Sequence, residues 1–133
     1  MPFRLARSVF AFALTAASTG VLAATGCPVG GDSGAIAAAI RQAGSCRAAA
    51  ALGEQCAFGA SGDVVLQDAV IAVCEQDFLP KMKRGQHYTY HLERARCRAK
   101  YARMEGTMYV SAAARCEGQV AQRYSAMVLK KKH

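Results

Sequence analysis

Residues 90–127 read YHLERARCRAKYARMEGTMYVSAAARCEGQVAQRYSAM, and the spacing of their apolar side chains decides the fold. Tyr90, Cys97, Tyr101, Met104 and Met108 lie 7, 4, 3 and 4 residues apart, a single helical face. Tyr109, Ala113, Cys116, Val120, Tyr124 and Met127 follow at 4, 3, 4, 4 and 3, a second such face. Gly106-Thr107 stands between them, glycine suited to end one helix and threonine to cap the next. Cys97 precedes Gly106 by nine residues and Cys116 follows it by ten, so an antiparallel helical hairpin sets the two cysteines face to face. A Cys97–Cys116 disulfide is expected, worth roughly 3 kcal/mol for a loop of that length.

Upstream the pattern stays helical. Val64 to Leu79 is apolar nearly all round, the mark of a central buried helix, and Pro80 closes it or opens the next segment. Gly34 to Ala43 and Ser45 to Ala57 are alanine-rich, with Ser45 placed as an N-cap. The loop Phe58 to Gly62 leads to Asp63, a second N-cap candidate. No stretch alternates apolar and polar residues as a half-buried strand would. The expected fold is all-α: one small disulfide-stabilised bundle of four to five helices over residues 25–133, ending in a basic tail at 130–133.

Residues 1–24 read as a cleaved signal peptide. Arg4 and Arg7 precede an apolar stretch from Val9 to Leu22, and Val21/Ala23 or Leu22/Ala24 fit the small-x-small cleavage rule. The stretch is too short and too rich in Ser, Thr and Gly for a membrane span, which needs about 20 apolar residues. Removing it leaves 109 residues with a net charge of +6, against 133 residues and +8 for the whole chain. All six cysteines (27, 46, 56, 74, 97 and 116) lie beyond that segment, an even set that implies three disulfides in an exported domain. A competing reading takes Ala24-Thr25-Gly26-Cys27 as a bacterial lipobox, with Cys27 lipidated and the protein attached to the membrane. Localisation is then periplasmic or secreted, or that of a lipoprotein.

Symmetry does not fix the other pairings. Cys46 and Cys74 straddle the Phe58–Gly62 loop evenly, which leaves Cys27 for Cys56. Cys74 and Cys97 are also evenly placed about Gly85, so a rival pairing stays open.

Charge is strongly divided along the chain. Residues 27–79 carry two arginines, Arg41 and Arg47, against six carboxylates, a net of −4. Residues 80–133 carry 13 basic against 3 acidic side chains, a net of +10. Arg94 and Arg98 share one flank of the cysteine stripe, and Arg96, Lys100 and Arg103 share the other. With Lys130, Lys131 and Lys132 they form the candidate binding surface, whose partner should be anionic. Export argues for envelope polyanions, and no nucleic acid is expected.

Signatures of catalysis are missing: there is no Gly-x-Ser-x-Gly, His-Glu-x-x-His, P-loop or Cys-x-x-Cys. The scattered carboxylates read as surface groups, with Glu93 placed to pair with Arg96. His87 and His91 are four apart, the spacing of two metal ligands on one helical face, but no third ligand is evident. No enzyme activity and no cofactor are expected.

The order Arg94-x-x-Cys97, Gly106-Thr107, Cys116 and Arg123 resembles the LprI-type lysozyme-inhibitor family of bacterial envelope proteins. The likeness runs from about Tyr88 to Tyr124, with Cys74 to Leu79 extending it upstream, and Gly106-Thr107 stands where that family carries Gly-Gly-Ser. It implies a small helical exported protein with lysozyme as a candidate partner, and carries over no inhibitory residue. A lysozyme cleft holds two carboxylates that an Arg or Lys on a rigid loop would fit. Many lysozymes are cationic, so the acidic 27–79 portion would have to steer docking. The expectation is an exported, non-enzymatic binding protein of this kind. The alternatives are a module binding anionic envelope components through its basic helices and, third, a periplasmic metal binder.

Overall fold

A computed structural model describes residues 26–131 and is all-helical over that range. The helices are α1 (Ser33–Arg41), α2 (Cys46–Gln55), α3 (Asp63–Phe78), α4 (Arg84–Tyr101) and α5 (Thr107–Lys130), with one 3-10 turn at Leu79–Lys81. The segment read as a signal peptide, and Lys132 of the basic tail, lie outside the described residues.

Helix starts follow local chemistry. The Asp32 carboxylate accepts from the Ala35 N–H and caps α1, and the Ser45 hydroxyl does the same for Ala48 at α2. Asp63 departs from its expected role. Gly62 holds the N-cap position of α3, and the Asp63 carboxylate turns back to accept from the N–H groups of Phe58 and Gly59. The side chain that looked like a surface cap is buried and closes the α2–α3 loop.

Helix α3 is the axis of the molecule. Leu66, Ala69, Val70, Cys74 and Phe78 are fully buried, and α1, α2 and α5 all pack on it. Its nearly all-round apolar character follows from having neighbours on most sides, with one stripe, Val65, Asp68, Ala72 and Gln76, left exposed. Pro80 sits inside the 3-10 turn that redirects the chain into α4.

Helix α5 packs through two faces. Cys116, Val120 and Tyr124 meet α4 or the core, as the cysteine stripe predicts. The second face is the small-residue row Ser111, Ala114, Gly118, Ala121 and Ser125, spaced 3, 4, 3 and 4 and all buried. That row lies against α3 and lets the helix axes come close. A Cβ at Gly118 would run into the end of the Gln67 side chain, which would have to move aside. Ser111 donates to Asp63 and Ser125 donates to Asp77, each pair 48 residues apart. An equal offset at both ends means that α3 and α5 run parallel and in register. Fourteen residues separate the two latches on either helix, about 21 Å at 1.5 Å per residue.

Met104, Met108 and Met127 do not belong to the inner faces assigned to them. Helix α4 ends at Tyr101, the turn takes up Met104, and all three methionines are exposed. Gly106 makes the turn with φ +114°, a conformation that side-chain-bearing residues rarely adopt.

The disulfides are Cys27–Cys56, Cys46–Cys74 and Cys97–Cys116, which closes off the rival Cys74–Cys97 pairing. In this fold the Cys27 sulfur is bonded to Cys56, so it offers no free thiol for a lipid. Three disulfides in so small a domain belong to an oxidising, extracytoplasmic compartment. Among the described residues no helix is long and apolar enough to cross a membrane.

Candidate functional site

The α4–α5 hairpin has two flanks on either side of the Cys97–Cys116 bridge, and they differ in how their charges are used. On the flank facing α3, the Tyr90 hydroxyl donates to Glu75 at 2.8 Å, and Arg94 spans Glu75 at 3.3 Å and Glu117 at 3.0 Å. Arg98 adds a second contact to Glu117 at 2.5 Å. Tyr90 is completely buried, its ring edge-on to Phe78 at 5.0 Å, and Arg94 lies 5.8 Å from its centre. Burial, with the Glu75 carboxylate beside it, pushes the Tyr90 phenol far above its usual pKa. Burial works against the Arg94 charge, but Tyr90, Glu117 and Glu75 offset it and leave the guanidinium harder to deprotonate than usual.

Arg94 is therefore a tie within the fold and Arg98 is neutralised by Glu117, contrary to their expected place on an open cationic surface. The sequence places the positive charges correctly but hides the acids from α3 and α5 that meet them. Arg94→Met should destabilise by about 2 kcal/mol, less than a fully buried pair because its carboxylates are partly solvated. Lysine should not restore the loss, since one ammonium cannot span two carboxylates as a guanidinium fork does. Urea unfolding of Arg94→Met and Arg94→Lys beside Arg96→Gln is the check, with the last variant expected within about 0.5 kcal/mol of the parent.

The same pattern crosses the whole molecule. Glu54 pairs with Arg115, Asp63 with Ser111, Glu75 with Tyr90 and Arg94, and Asp77 with Ser125. Most carboxylates of the acidic half are thus spent on docking the basic half. Part of the acidic front expected over 27–79 is therefore a seam with the basic half, while Asp32, Glu54 and Asp68 stay exposed.

The outer flank is different. Between α4 and α5 runs a groove of about 360 Å³, floored by Cys97, Cys116 and Val120 and edged by Arg96, Lys100, Gln119 and Arg123. Its only acid is Glu93, which accepts from Arg123 at 2.5 Å and from the Tyr124 hydroxyl at 2.8 Å, not from Arg96 as expected. The Tyr124 bond and the Arg123 charge hold the Glu93 carboxyl below its ordinary range, so it stays ionised and keeps Arg123 in place. Arg96 and Lys100 have no carboxylate within 4.0 Å among the described residues, and the Lys100 ammonium lies 5.2 Å from the Tyr101 ring centre. Two exposed cations facing a third across a narrow floor suit an anion.

Other expected site residues fall elsewhere. Arg103 sits exposed in the turn after α4, Lys130 ends α5 and Lys131 follows it. The sequence marks Arg123 only through the family likeness. Its signal was the i, i+4 relation to Gln119 on the flank of the cysteine stripe, which puts it opposite Arg96. A further depression of about 340 Å³ near the hairpin turn is mainly apolar, lined by Val64, Ile71, Tyr101, Met104 and Tyr109, and holds no cation cluster. The His87 and His91 rings are 6.4 Å apart, and His87 Nε2 lies 3.2 Å from the Leu79 carbonyl. Among the described residues no group of three His, Cys, Asp or Glu side chains converges.

No protein-family model, curated protein or solved structure matches this chain.

Proposed function

We propose that this chain is an exported binding protein, without catalytic chemistry of its own, that holds an anionic component of the cell envelope on the outer face of its α4–α5 hairpin. One observation carries the reading: Arg96 and Lys100 line the outer groove with no carboxylate within 4.0 Å among the described residues, while Arg94, Arg98 and Arg115 are tied to carboxylates. Unpaired cations side by side repel, and an anionic ligand relieves that cost. The three disulfides and the signal-like residues 1–24 support periplasmic or secreted export.

The test is binding of the oxidised protein to fluorescent dextran sulfate across a salt series. Affinity should fall steeply with ionic strength, and R96Q/K100Q should weaken it about tenfold, the sum of two exposed charge contacts. Retention indifferent to salt, or an unchanged double variant, would overturn the reading.

The family likeness supports a second reading, lysozyme inhibition, because the residues that carry it lie on the disulfide-locked hairpin. That reading loses part of the acidic patch needed to steer docking, since Glu54, Asp63 and Asp77 are engaged within the fold. Undiminished lysis of bacterial walls by lysozyme in a large excess of the protein would eliminate it.

A further inference from the structure

We infer that the anion held by the hairpin is a linear polymer with repeating charges, and that Arg47 of α2 and Lys130 of α5 belong to the same site. This rests on the reading of the outer α4–α5 groove as an anion site. Arg123 lines that groove and also a second one, a broad trough of about 1000 Å³ between α2 and the C-terminal half of α5. The trough carries Arg47 and Lys130, and Ala50, Ala51 and Ala126 leave its floor open. Cations on both sides of α5 are thereby joined through one shared guanidinium. From Gln119 to Lys130 the track follows α5 for eleven residues, about 16 Å at 1.5 Å per residue. A single phosphate or carboxylate covers a small part of that length, whereas a chain with an anionic group every few ångströms meets every cation.

Cations outnumber acids along the track, with Arg47, Arg96, Lys100, Arg123 and Lys130 against Glu54, Asp77 and Glu93. Glu93 is bonded to Arg123 and Tyr124, Glu54 to Arg115, and Asp77 accepts from Ser125. Glu93 also leaves most of the five Arg123 N–H donors free, since one nitrogen makes the recorded contact. A flat lipid surface suits this arrangement poorly, because the cations lie in two concave grooves separated by the body of α5.

The experiment measures displacement of labelled long-chain inorganic polyphosphate from the full oxidised chain by phosphate, tripolyphosphate and unlabelled long-chain polyphosphate at equal phosphate content. Long chains should bind at least about tenfold more tightly per phosphate than tripolyphosphate, with a steeper salt dependence. Arg47→Gln and Lys130→Gln should each weaken long-chain binding about threefold and leave tripolyphosphate binding unchanged. Arg84→Gln, an exposed charge outside both grooves, is the control and should change neither. Equal affinity per phosphate at all lengths, or equal effects of Arg84→Gln and Arg47→Gln, would overturn the inference while R96Q/K100Q-sensitive tripolyphosphate binding preserved the groove. Phosphatidylglycerol vesicles that compete better than polyphosphate and ignore Arg47→Gln would also overturn it in favour of a lipid surface. Failure of every polyanion to bind would defeat the underlying reading as well.

Discussion

Asp63→Ala is expected to destabilise the protein by about 4 kcal/mol, a large part of the roughly 5–15 kcal/mol that holds a domain of this size. The carboxylate is 1% exposed and accepts three hydrogen bonds: from the Phe58 N–H at 2.7 Å, the Gly59 N–H at 3.0 Å and the Ser111 hydroxyl at 2.5 Å. Alanine leaves all three donors without a partner and removes a side chain that ties the α2–α3 loop, α3 and α5 together. Bonds to an ionised acceptor contribute about 1.5–3 kcal/mol each, and the loop amides can recover part of the loss by turning to water. Ser111→Ala should cost only about 1 kcal/mol, because the carboxylate keeps its two amide donors. Urea unfolding with unchanged m-values would measure both. Equal losses for the two variants would show that Asp63 does not organise the loop as argued.

Removing the Cys46–Cys74 bridge should cost between about 3 and 4 kcal/mol from loop entropy alone. The bridge joins the first residue of α2 to the C-terminal half of α3 across 28 residues, and both cysteines are buried in the core. Without it, the short alanine-rich helices α1 and α2 hold to α3 mainly through Ile36, Ile40 and a few alanines. Helices of 9 and 10 residues are too short to persist by themselves. The double variant Cys46→Ala/Cys74→Ala should therefore melt at least about 15 °C below the parent. Loss of amide protection should be concentrated in α1 and α2. A fall of less than about 5 °C, or exchange spread evenly over α4 and α5, would contradict this account.

Side-chain relations within a few helical turns were legible in the sequence, and those between distant helices were not. The two flanks of the α4 cysteine stripe follow from a period of 3.6, and so does the grouping of Arg96 with Lys100. Nothing local marks Arg94 as a tie, because Glu75 and Glu117 lie 19 and 23 residues away and approach from two other helices. The row Ser111, Ala114, Gly118, Ala121 and Ser125 was legible in principle as a close-packing face. An apolarity pattern passes over it because small and hydroxyl residues carry little hydrophobic signal.

The all-helical class, the disulfide hairpin about Gly106 and the concentration of positive charge after residue 80 were determined by the sequence itself. Each rests on spacing within a few turns of helix, where geometry is set by the backbone. Tertiary structure alone decided which of those charges remain free. Packing of α5 on α3 and α2 brings Glu75 to Arg94 and Glu54 to Arg115, while Glu117 of α5 itself takes up Arg98 and shares Arg94. Arg96 and Lys100 are left without a direct ion pair because their flank of α4 points away from α3, and Glu93, the acid on that flank, is bonded to Arg123 and Tyr124.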